Sequence, residues 1–175
     1  KRYSIARIPF ISIDTIERSR TLGTMKEIAE ELSLPVYAHS LSKGVYDVTT
    51  GKVLCEDKSV YGAMDYIGEQ MKHRQYLTLV LTEVPDLSGD NSDAMQMLAL
   101  VSLANESGGE IIVLTNHSIW NVLQRLGMTI KIDLPDEDEM YSIIKEYIDD
   151  YRNSIPIEWD DNDITEAAIT LTGIT

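Results

Sequence analysis

Arg18 and Arg20 stand where a short apolar run, Phe10, Ile11 and Ile13, passes through a polar turn, Asp14 to Arg20, into a segment carrying Leu22, Met25, Ile28 and Leu32 at helical spacing. Strand, loop and helix in that order aim backbone N–H groups and the positive end of a helix at one spot, which suits an anion such as phosphate. Two arginines there could strengthen such a site, or they could simply pair with Asp14 or Glu17. The loop contains no glycine, which removes the residue best able to adopt the left-handed conformations of a phosphate nest. Glu83 closes the nearly continuous apolar run from Leu77 to Val84. A carboxylate at a strand end could polarise water, or it could serve only as a local hydrogen-bond acceptor. Other chemistry finds no support: His39, His73 and His117 lie far apart with no partner at metal-ligand spacing, and no serine sits in a G-x-S-x-G elbow.

The elements that must position these residues follow from periodicity. After the first strand and helix, Leu34 to Leu41 reads as a second strand, so tight loops predict a parallel pair joined by a right-handed crossover. Val45–Val48 and Lys52–Cys55 flank Thr49-Thr50-Gly51 as a β-hairpin excursion. Val60, Met64, Ile67 and Met71 mark a helix that ends near Lys72, His73 and Arg74. Leu77–Val84 is expected to be a central strand covered on both faces. Asn91, Ser92 and Asp93 offer caps for a helix with Met97, Leu100, Val101 and Ala104, and Gly108-Gly109 stops it. Ile111–Asn116 is another buried strand, Ile119–Leu126 a short helical stretch, and Thr129–Leu134 a last strand. Asp136 and Glu139 have capping-box spacing before a helix with Met140, Ile143, Ile144, Tyr147, Ile148 and Tyr151 on one face. Beyond Ile155-Pro156-Ile157, a final helix starts near Asp161 and carries Ile164, Ala167, Ala168 and Leu171.

The chain of 175 residues is long enough for one ordinary core. A formal net charge of -14 argues against direct nucleic-acid binding and against an anionic membrane surface, because both use clustered Lys and Arg. The acidity is either a spread-out solubility feature or a patch for a basic partner. One cysteine, Cys55, excludes an internal disulfide framework and fits a reducing compartment, and the lack of a long apolar run or signal-peptide pattern predicts a cytoplasmic protein. The start at Lys1 and the stop at Thr175, inside a helix-turn pattern, predict a piece of something longer.

Several strings, taken together and in this order, resemble an AAA+ ATPase module over nearly the whole chain. Glu31-Leu32-Ser33-Leu34-Pro35-Val36 stands where that family has a phrase such as ELGLPF; Leu79-Val80-Leu81-Thr82-Glu83 stands at the Walker B strand; Val113-Leu114-Thr115-Asn116 stands at the sensor strand. Arg125-Leu126-Gly127, then Asp133-Leu134-Pro135 and an acidic helix start, fit the arginine-bearing region, and Thr172-Gly173-Ile174-Thr175 resembles the turn of the helical lid. The resemblance implies an α/β, three-layer, parallel-sheet core over 1–153 with a β-hairpin insertion, and the start of a helical lid over 154–175. It also implies roles: Glu83 as catalytic glutamate, Asn116 as sensor, Thr21 as magnesium ligand, and Arg125 as an arginine finger reaching a neighbouring subunit. Arg125 could equally be an ordinary solvated arginine.

The departures bear on function. Asp14 to Thr21 replaces the Gly-rich loop with its Lys, β-branched Ile16 and the carboxylates of Asp14 and Glu17 oppose phosphate, and Thr82 stands where the metal-holding aspartate belongs. Such degeneracy resembles the inactive N-terminal halves of chloroplast-reading-frame (Ycf-type) AAA+ proteins, and Arg7 to Thr15 is close to their opening. The expectation is a non-catalytic module with no cofactor of its own, ATP and Mg2+ belonging to the parent protein. Its partners would be copies of itself in a ring, a downstream ATPase module, or a protein client. The alternatives are a divergent nucleotide-binding NTPase using Arg18, Arg20, Thr21 and Glu83, and an adaptor whose old pocket accepts a peptide or acidic small molecule.

Overall fold

The computed structural model describes residues 6–15, 17–132, 134–151, 154 and 156–172. Ile16, Asp133, Ile155 and the turn at Gly173-Ile174-Thr175, all used in the sequence reading, lie outside the described residues. The chain divides into two compact units, 1–132 and 133–175.

The first unit is built on a seven-stranded sheet. In chain order its elements are β1 (Phe10–Asp14), α1 (Arg18–Leu32), β2 (Val36–Ser40), β3 (Gly44–Asp47), β4 (Val53–Cys55), α2 (Val60–Met71), β5 (Thr78–Leu81), α3 (Ser92–Ser107), β6 (Glu110–Leu114), α4 (Asn121–Gln124) and β7 (Gly127–Lys131). The strands lie in the order β4-β3-β2-β5-β6-β1-β7. β2, β5, β6, β1 and β7 run parallel, and β3 and β4 are antiparallel additions at one edge.

Side-chain alternation assigns each face a cover. Ile11, Ile13, Val36, Ala38, Val80, Ile112 and Leu114 form one cluster with Ala29, Leu22 and Met25 of α1. Phe10, Leu79, Leu81, Ile111 and Val113 face the other way, among Met64 and Ile67 of α2, Met97 and Val101 of α3, and Leu123 of α4. The result is a three-layer α/β architecture, as the periodicity and the resemblance imply.

The end signals explain where the helices stop and start. Asn91 accepts a hydrogen bond from the Ala94 N–H at 2.9 Å and caps α3, and Ser59 does the same for α2 through Gly62. Gly108 closes α3 at φ +64°, and the Gly109 N–H donates to the Ala104 carbonyl at 2.7 Å, which satisfies a helix-end acceptor.

Two expectations are corrected. β1 and β2 are parallel but not neighbours, because β5 and β6 lie between them. β1 is buried along both faces and needs a strand on each edge; β6 and β7 supply them. α1 has 15 residues, about 22 Å at 1.5 Å per residue, enough to return the chain from the carboxyl end of β1 to the amino end of β2, as a parallel crossover requires. The hairpin forms as expected, β3 against β4, and it joins the sheet edge by pairing β3 with β2. The last strand also begins earlier than expected, at Gly127, where a Cβ would lie 1.8 Å from the Phe10 carbonyl oxygen. Only glycine lets the two backbones approach so closely.

The second unit holds α5 (Glu137–Tyr151) and α6 (Asp161–Leu171). Asp136 accepts from the Glu139 N–H at 2.9 Å, and Asp160 with Asp163 forms a reciprocal capping box on α6. Ile148, Ile164 and Ala168 are among its buried apolar side chains. This compact unit begins before α5. Among the described residues, no helix is long and apolar enough to cross a membrane.

Candidate functional site

The connectivity itself marks one place on the sheet. From β1 the chain crosses to β2 on one side by way of α1, and from β6 it crosses to β7 on the other side by way of α4. Helices α1 and α4 lie on opposite faces, so the carboxyl ends of β1 and β6 open into a crevice, the switch point where doubly wound sheets hold ligands. A cleft of about 520 Å³ occurs there, lined by Thr15, Arg18, Glu83, Thr115, Asn116 and His117 among others.

The sequence-predicted residues divide between this cleft and its surroundings. Arg18 reaches across from the first turn of α1, and its Nη1 lies 2.9 Å from Glu83 Oε1 just past β5. The second oxygen of Glu83 is also engaged: Thr82 Oγ1 lies 2.5 Å from Glu83 Oε2 and 2.9 Å from the His39 carbonyl oxygen. One hydroxyl proton serves one of those acceptors at a time. Burial, then the charge on Glu83, pushes the Tyr46 phenol up from its ordinary value.

Arg20 is turned to its own helix start, with Nη1 2.9 Å from Glu17 Oε2. Thr21 is buried, and its hydroxyl donates to the Glu17 carbonyl at 2.9 Å. Arg18 therefore pairs with neither Asp14 nor Glu17, the two partners that sequence proximity suggested.

The described residues of the loop lack the geometry of a phosphate nest. None of the described residues from Asp14 to Arg20 has a positive φ, and the N-cap residue Glu17 makes no capping hydrogen bond with its side chain. Instead the Glu17 N–H donates to Thr15 Oγ1 at 3.0 Å, a short local turn. The groups present do not fit a nucleoside triphosphate with its metal: the loop sequence has no lysine, its described residues include none in the left-handed region, the Thr21 hydroxyl is buried and turned to the Glu17 carbonyl, and the cleft arginine is held by a carboxylate. Among the described residues, no group of three or more His, Cys, Asp or Glu is arranged to hold a metal ion.

Asn116 is exposed at the end of β6 and lines the cleft. Arg125 is not brought to it. It is exposed at the end of α4, just before β7 opens at Gly127 opposite Phe10, which is the amino end of the parallel strands. Among the described residues it makes no side-chain ion pair or hydrogen bond, and it is not among the residues that line the cleft.

Two groups escaped the sequence reading. Thr82, which stands where the metal-holding aspartate belongs, places its hydroxyl between Glu83 and the His39 carbonyl of β2 and donates to one or the other. Glu110, placed outside the strand, is its first residue and 0% exposed, and among the described residues neither of its oxygens has a hydrogen-bond partner by geometry. Its spacing with Ile112 and Leu114 was the available signal, since all three share one face.

The chain was compared with known proteins. A search of curated proteins returned no match. Among solved structures, a chain of the E. coli MS115-1 HORMA:CdnC:Trip13 complex superposes with TM-score 0.61 at 12% identity, covering 95% of this chain and 60% of that one. AMPPCP-bound DnaA from Aquifex aeolicus gives TM-score 0.56 at 17% identity, covering 100% and 53%. PCH-2 from C. elegans gives 0.57 at 12% identity, covering 99% and 56%. At such identities the likeness is one of fold, that of AAA+ domains, and the chain spans less than two thirds of each of these three structures. Residues 1–132 match the family described as SpoVK-like AAA ATPase, N-terminal domain. That match covers most of the sequence, and the chain belongs to the SpoVK-like AAA ATPase N-terminal domain family.

Proposed function

We propose that this chain is a non-hydrolysing AAA+ module of a larger cytoplasmic ATPase, akin to the inactive N-terminal halves of Ycf-type proteins. It acts through its surfaces: in assembly of a homo-oligomer, in docking a protein partner, and in coupling to an ATPase module elsewhere in the parent protein. ATP and Mg2+ belong to that other module. The observation that carries the reading is the state of Glu83. A carboxylate that activates water must be free to accept a proton or orient a hydrogen-bonded water. Here one oxygen is bound by Arg18 at 2.9 Å and the other faces the Thr82 hydroxyl. Arg125 on the opposite rim suits a role that needs no pocket of its own, reaching into a neighbouring subunit.

Phosphate release from Mg·ATP by this chain, beside its Glu83→Gln variant, tests the reading. Equal background rates are expected from both. Release that exceeds background and disappears in the variant would overturn it. The second reading, a divergent nucleotide binder using Arg18, Arg20, Thr21, Glu83 and Asn116, is favoured by one observation: a cleft of about 520 Å³ persists at the switch point. It requires the Arg18–Glu83 pair to open for the ligand.

A further inference from the structure

The negative charge is concentrated. Residues 133–175 hold 13 Asp and Glu against two Lys and Arg, so -11 of the formal -14 falls on these 43 residues and -3 on the remaining 132. Lys145, the cation of this unit among the described residues, is already engaged with Asp161 of α6 at 3.4 Å.

Helix geometry sorts the side chains of α5 into strips, since successive residues turn by about 100°. The side toward α6 is fixed by contact: Tyr141 donates to Asp161 at 3.0 Å, Lys145 reaches the same carboxylate, and Ile148 is buried. One strip further round carry Tyr147 and Tyr151, spaced i, i+4 and 64% and 51% exposed. Beyond them lie Glu146 and Asp150, again i, i+4 and exposed. An aromatic ledge thus runs beside an acidic rail along one helix.

We propose that this face docks a basic, amphipathic protein segment. Its aliphatic side chains would lie on Tyr147 and Tyr151, and its Lys or Arg side chains would meet Glu146 and Asp150, with the tyrosine rings also able to take a guanidinium. Charge selects this occupant. A second copy of the unit brings the same -11 and is repelled, as are nucleic acid and an anionic membrane. Uniform charge serving solubility alone would not require large aromatic side chains exposed in the same stretch.

The test uses the whole chain and three synthetic labelled peptides of equal length, read by fluorescence anisotropy at about 0.15 M salt. One is a Lys/Leu amphipathic helix, the second its Glu/Leu twin, and the third a Lys/Ser peptide of the same charge without the apolar face. The Lys/Leu peptide is expected to bind at least about tenfold tighter than either twin. Tyr147→Ser with Tyr151→Ser, and separately Glu146→Lys with Asp150→Lys, should each weaken it at least about tenfold while leaving the circular dichroism unchanged. Equal binding of the Lys/Ser peptide would reduce the surface to bulk charge and overturn the proposal. So would unchanged affinity in both double variants, or no binding of the Lys/Leu peptide.

Discussion

Glu110→Gln should raise stability increasingly as the pH rises. Glu110 begins β6 beside Thr78 of β5 and is 0% exposed; among the described residues neither its oxygens nor the buried Thr78 hydroxyl has a hydrogen-bond partner by geometry. Burial pushes its carboxyl from 4.5 up to about 7, against the pull of the Arg7 guanidinium. Because the folded value lies above the unfolded one, the native state holds the proton more tightly. The stability this confers is complete below pH 4.5 and is lost as the pH climbs through 7. At about 1.36 kcal/mol per unit, the loss between pH 5 and pH 8.5 comes to about 2.5 kcal/mol. Glutamine keeps the size and cannot ionise, so the variant loses none of it. Urea unfolding of both proteins across that range, followed by far-ultraviolet circular dichroism, reads the difference directly. The exposed carboxylates contribute the same slope to each and cancel. The gap should widen by about 2.5 kcal/mol in favour of Glu110→Gln. Parallel stability curves, or a gap that closes as the pH rises, would refute the reasoning.

Other substitutions test other parts of the account. Gly127→Ala places a Cβ 1.8 Å from the Phe10 carbonyl oxygen and should separate β7 from β1, costing more than about 4 kcal/mol, visible as a collapsed thermal transition. Arg18→Ala breaks a pair whose side chains are 53% and 26% exposed, so its cost should stay below about 1 kcal/mol in the same denaturation assay. Asn91→Ala removes the α3 cap and should cost about 1 kcal/mol, with a matching drop in the urea midpoint.

Much of the frame was legible because it rests on local signals. The apolar runs of β5 and β6, the Asn91 cap, the Gly108 stop and the two faces of the sheet follow from periodicity and end chemistry close in sequence. The strand order did not follow, since the tight β1-α1-β2 connection says that the strands are parallel and not how many others lie between. The hairpin was legible from its Gly51 turn, and its docking on β2 uses only the short connection at Leu41-Ser42-Lys43. Arg18 and Glu83 were both named from sequence, one as an anion ligand and one as a water-polarising group. Their mutual bond spans 65 positions and only the fold brings them together. A charged residue beside Gly108-Gly109 reads as loop, and that outweighs the one local sign of its burial, the alternation of Glu110 with Ile112 and Leu114.

The central claim, that the cleft at the switch point no longer serves ATP, is tested most directly by calorimetric titration of Mg·ATP into the 175-residue chain at high protein concentration. The account predicts no saturable heat up to millimolar nucleotide. A dissociation constant below about 100 μM, equivalent to about 5.5 kcal/mol, would contradict it.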